Sequence, residues 1–169
     1  LASDGLLVQW FQLYETNLRQ VASVVSALSA EFDRYAFYNT DDNNLLIVAS
    51  NQRSVTDLDG WLFEDSAIRQ AVRRGEAESV ADLGIRLVGT QRTLGYLTSV
   101  APAPVNSDYL PYVSLEAPKS RFLGETATAL TELNTSMMPI SDVLDTASAS
   151  DWSASDVTPS LYYTPAAEA

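Results

Sequence analysis

Two short, uninterrupted apolar runs, Leu6-Leu7-Val8 and Leu45-Leu46-Ile47-Val48, constrain this chain more than any other feature. Runs of that length without polar alternation belong to strands that are covered on both faces. Between them, Leu18, Val21, Val24, Val25, Leu28 and Phe32 recur at three- and four-residue steps, which predicts an amphipathic helix over Thr16–Phe32 with one buried stripe. "RYAFYN", Arg34–Asn39, has the aromatic content of a strand, and Thr40-Asp41-Asp42 is short and polar enough to turn it into "NNLLIVAS", Asn43–Ser50. The order is strand, helix, strand, tight turn, strand, with the first two strands joined by a helical crossover and the last two antiparallel. One helix covers one face of such a sheet, so both runs imply further layers, expected on the amino-terminal side of Leu1.

The rest of the chain reads differently. "DLDGWLFEDSAIRQAVRRG" predicts a helix capped by Gly75, "EAESVADLGI" a short helix stopped by Gly84, and "LVGTQRTLGYLTSV" a third helix weakened by its glycines. "APAPVNSDYLP" is a proline-punctuated loop, and Tyr112–Glu116 is expected to be a short strand. From Phe122 to Ala169 there are seven acidic residues and no basic one. An amphipathic helix, Leu123–Asn134, is expected to dock there, followed by a mobile acidic tail with Tyr162-Tyr163 as an anchor. The expected divisions are 1–52, a carboxyl-terminal portion of a Rossmann-like domain; 53–122, a helical extension; and 123–169, a helix with an acidic tail.

Composition removes several chemistries. With no cysteine and no histidine among 169 residues, Ser-His-Asp and Cys-His mechanisms and cysteine- or histidine-ligated metals are excluded within this chain. Lys119 is the only lysine, which leaves carboxylates, tyrosines, arginines and amides. A net charge of −12 argues against nucleic acid and suits a cationic partner, although an acidic surface also serves solubility alone. No run approaches the ~20 apolar residues of a membrane helix, and no secretion signal is visible.

Three segments in fixed order carry a family resemblance. "DGLLVQWFQLYE" resembles the segment that opens the last third of the S-adenosylmethionine-dependent Rossmann domain in spermidine synthase-like proteins. "YAFYNTDDNNLLIVAS" is similar to the antiparallel strand pair that closes that sheet, and "VNSDYLPYVSLEAPKSRF" resembles a later segment of the family. The similarity spans about Leu1 to Phe122 and is nearest to the bacterial branch in which the domain is often fused to a membrane domain. It implies an α/β fold, the carboxyl-terminal half of a Rossmann-like methyltransferase sheet followed by a small helical region and an acidic tail.

The resemblance further implies a parent transferase moving an aminopropyl or methyl group from decarboxylated or ordinary S-adenosylmethionine to an amine. The alternative is a synthase-like domain with a binding or regulatory role. No G-x-G-x-x-G occurs in the chain, so no cofactor is expected to bind it alone. The family's Pro-Thr-Tyr-Pro stretch is replaced here by "YNTDDNN", and its Asp-Arg pair by Tyr109-Leu110. The candidate substrate contacts are Gln9, at the expected carboxyl end of the first strand, Trp10 and Tyr14 as the adjacent wall, and Tyr38 and Asp41 facing a cationic amine. Each also has a plainer role, Gln9 as a strand-end amide, Trp10 and Tyr14 as packing, Tyr38 and Asp41 as hairpin residues. Asn106 or Asp108 is expected to hold an Asx-type turn. A homodimer and a cytoplasmic location, membrane-associated through an absent amino-terminal domain, complete the expectations.

Overall fold

The computed structural model describes residues 2, 4–75 and 77–132. Four strands, β1 (Leu7–Gln12), β2 (Arg34–Asp41), β3 (Asn44–Ser50) and β4 (Leu87–Thr90), form one sheet in the order β1-β3-β2-β4, and every neighbouring pair is antiparallel. Because β3 lies antiparallel between β1 and β2, those two strands run in the same direction. The helix α1 (Leu18–Glu31) makes the crossover that joins them. The two apolar runs lie on neighbouring strands but meet only at Val8 opposite Val48; Leu7 faces Ala49, and Ile47, Leu46 and Leu45 face Gln9, Trp10 and Phe11. The result is a mixed α/β fold on a four-stranded antiparallel sheet, not a run of parallel strands.

Helix α1 forms where its stripe requires. Asn17 and Gln20 make a reciprocal capping box, each side chain accepting from the other's backbone N–H at 3.0 and 2.9 Å. Its face carrying Val21, Ala22, Val25 and Leu28 lies on the odd-numbered side chains of the sheet. Tyr35, Phe37, Leu45, Ile47 and Ala49 are fully buried there. The Tyr35 and Ser29 hydroxyls hydrogen-bond at 2.9 Å, so the polar end of the buried Tyr35 ring is satisfied.

The opposite, even-numbered face is covered by a looser layer: a 3-10 turn, Gly60–Phe63, then α2 (Ser66–Arg73) and α3 (Val80–Gly84). Neither α2 nor α3 contributes a buried residue. The cover stops short of β1, and Leu6, Val8 and Trp10 are 41%, 57% and 54% exposed. The expectation that Leu6–Val8 is closed on both faces therefore fails: β1 is an edge strand among the described residues, with β3 on one side only.

Three further expectations are corrected. "LVGT" is strand β4, because β2 offers it a free edge, and helices α4 (Gln91–Gly95) and α5 (Leu97–Val100) follow. Tyr112–Glu116 is not a strand but the start of helix α6 (Tyr112–Leu123). Its first turn is held from outside, where Asn106 Oδ1 accepts from the Val113 N–H at 3.1 Å and Gln20 Nε2 donates to the Val113 carbonyl at 3.2 Å. Finally, no helix begins at Leu123, since Gly124 adopts a left-handed φ of 62° and ends α6 there. The short α7 (Ala129–Glu132) then inserts Leu130, fully buried, into the core. Asn134 and the expected tail lie outside the described residues. No helix among those residues is long and apolar enough to cross a membrane.

Candidate functional site

Between the even-numbered sheet face and the helical layer lies a cleft of about 550 Å³. Leu46 and Val48 of β3 form its floor, and Val55, Leu58, Val72 and Leu83 line it from the connecting segment and the helices above. The roof is held by polar clamps at its rim. The Ser50 hydroxyl accepts from the N–H groups of Gln52 and Arg53 at 3.3 and 3.1 Å and starts the chain back over the sheet. Asp65 caps α2 through Ala67 and Ile68, and Ser79 with Asp82 forms a capping box on α3. Arg86 donates to the Thr40 carbonyl at 3.0 Å and to that of Gly75, tying the hairpin to the end of the α2 segment.

Tyr38 is the polar feature of the cleft wall. Its hydroxyl donates to the Val55 carbonyl at 2.6 Å. Burial pushes its pKa up and the nearby Asp57 carboxylate adds to the effect, so the group is held as a neutral phenol. With its O–H donated to the Val55 carbonyl, the oxygen keeps lone pairs for a further donor. Tyr38 is therefore an acceptor and an anchor, not a base.

The sequence-derived candidates do not converge. Trp10 and Tyr38 occupy one row of the sheet on either side of Leu46, both on the even face, but Trp10 lies beyond the cleft lining. Gln9 pairs with Ile47 and projects from the other face, because successive strand residues alternate. It is also mid-strand, since β1 runs three residues further, to Gln12, than the expected strand end. Tyr14 lies past β1, bridged to Thr126. Asp41 is spent on its own hairpin, accepting from the Asn43 N–H and from Asn44 Nδ2, each at 2.8 Å, and these bonds hold its carboxyl below the usual range. Asn106 Oδ1 accepts from the Val113 N–H seven residues on, so it anchors the start of α6 and does not make the expected Asx-type turn.

The residues that sequence reasoning did not connect with a site are Val55, Asp57, Val72 and Arg86. Val72 carried a helical-periodicity signal, but nothing local marks Asp57 or Arg86. A second polar cluster also went unseen. Asn17 Nδ2 donates to Glu125 Oε2 at 2.8 Å and to Ser120 Oγ at 3.2 Å, while the buried Ser120 hydroxyl lies 2.8 Å from Gln20 Oε1 and 2.7 Å from Glu125 Oε2. These bonds hold the Glu125 carboxyl below its usual range, the Asn17 amide contributing most. No group of acidic side chains among the described residues is arranged to hold a metal ion. Comparison of the chain with protein-family models, curated proteins and solved structures returned no match.

Proposed function

We propose that this chain is the carboxyl-terminal part of a spermidine synthase-like transferase that moves an aminopropyl or methyl group from an S-adenosyl cofactor to an amine-type acceptor. The observation that carries the reading is the edge of β1. A helical crossover between two strands followed by an antiparallel pair is in keeping with the resemblance, and among the described residues β1 has β3 on one side only and exposes Val8 and Trp10. Further strands of a longer sheet have a place to join there. The residues present do not fit a nucleotide cofactor, as the chain has no glycine-rich phosphate loop, so the reading assigns cofactor capture to an upstream part. What this chain supplies is a wall. Transfer from an already activated sulfonium depends on positioning more than on acid–base groups, in keeping with a chain that has neither histidine nor cysteine.

One observation favours a second reading, a synthase-like domain used for binding or regulation. The groups expected to greet an amine are engaged internally, Asp41 by Asn43 and Asn44 and the Tyr38 hydroxyl by Val55. Calorimetry separates the two. A protein that includes the upstream coding region is expected to bind S-adenosylmethionine, its decarboxylated form or methylthioadenosine, and the 169-residue chain none of them. Absence of heat with all three on the longer protein overturns the transferase reading.

A further inference from the structure

The cleft under α2 opens to solvent and is lined mainly by apolar side chains. Its volume of about 550 Å³ is in the range of small-molecule sites. Its floor is apolar from Leu46 to Val48, and its lining contains one acid, Asp57, and one base, Arg86. The two formal charges of the lining sum to zero, which suits a ligand without net charge. Tyr38 lines the space, and its hydroxyl donates a hydrogen bond to the Val55 carbonyl at 2.6 Å while keeping its proton, which leaves the oxygen lone pairs for a further donor.

We propose that this cleft binds an uncharged, mostly apolar small molecule carrying one N–H or O–H group, which donates to Tyr38 Oη while its body lies between Val48 and Val72. The site is separate from the transferase reading. It uses neither the β1 edge nor a nucleotide, and it stands or falls on this chain alone.

The test uses N-phenylnaphthylamine, an uncharged aromatic dye with one N–H, whose fluorescence rises in apolar surroundings, titrated into the 169-residue chain. Saturable binding of one dye per chain is expected. Filling the cleft from the floor with Val48→Trp or from the roof with Val72→Trp is expected to weaken binding at least about tenfold, and Tyr38→Phe by about three- to tenfold. The double variant Val8→Ser, Trp10→Ser, outside the cleft, leaves binding unchanged. Should a filling variant fail to fold, nuclear Overhauser contacts between the dye and the Val48 and Val72 methyls of the unaltered chain decide the matter. Binding that survives both filling variants, that is lost with the Val8 and Trp10 replacements, or that shows no contact to those methyls overturns the proposal. So does the absence of saturable binding.

Discussion

The two faces of this sheet are built from the same strands and closed in opposite ways. On the odd face, Leu45 and Ile47 are fully buried under α1, whose stripe of Val21, Val25 and Leu28 returns at each turn. One residue along the same strand, Leu46 and Val48 are half-buried beneath helices that bury nothing of their own. The even face is apolar enough to be covered, but "SAIRQAVR" offers Ile68 and Val72 as its large apolar residues, too narrow a stripe to fill the space. Stability and open space have thus been sorted to opposite sides of one layer.

The sharpest way to break that contrast is to truncate each side of β3. Ile47→Ala is expected to cost about 2–5 kcal/mol in urea unfolding, and Val48→Ala about 1 kcal/mol; equal losses abolish the distinction. A smaller effect is expected at the base of α1, where Ser120→Ala or Asn17→Ala removes a bond that α1, α6 and Glu125 share. Chemical denaturation should register about 1–2 kcal/mol for either, with the double variant less than additive.

Acid sharpens the comparison further. The Glu125 carboxyl is lowered in the folded state, chiefly by Asn17. The stability it contributes is therefore complete above the ordinary glutamate range and drains away as pH falls through its lower folded value. Glu125→Gln is expected to flatten the acid limb of a stability–pH curve without changing the curve near neutrality in slope. The smallest effect belongs to the bare strip: Val8→Ser with Trp10→Ser should shift unfolding by no more than about 0.5 kcal/mol. The same pair should reduce any concentration-dependent association seen by sedimentation, because β1 carries no charge, lysine or proline to guard its edge.

Where periodicity is local, the sequence was readable. The span Thr16–Phe32 encloses the observed α1, and a tight turn does join β2 to β3, at Asp42-Asn43 and not at the expected Thr40–Asp42, since β2 runs on to Asp41. Tyr112–Glu116 misled because Tyr and Val favour strands, whereas the segment begins α6, which runs through Pro118 and is anchored by Asn106 and Gln20. Those anchors are tertiary and leave no trace in a short window. The cleft was illegible for the same reason, as Tyr38, Val55, Val72 and Arg86 meet only after the chain doubles back over the sheet. Gln9 shows the cost of misplacing a strand end, since three more residues of β1 put it in mid-strand, facing away from Tyr38.

The cap of α1 has a consequence for how the chain acquires its shape during synthesis. Asn17 is bonded to partners 103 and 108 positions later, and the Leu13 carbonyl accepts from the Ala127 N–H at 2.8 Å. The first helix can coil early from its own Asn17–Gln20 box, yet the clasp around it stays open until residue 127 has left the ribosome. A nascent chain arrested at Gly124 would lack Glu125 and Ala127 and leave the root of α1 unlatched, because the final latch is fastened by a segment more than a hundred residues downstream.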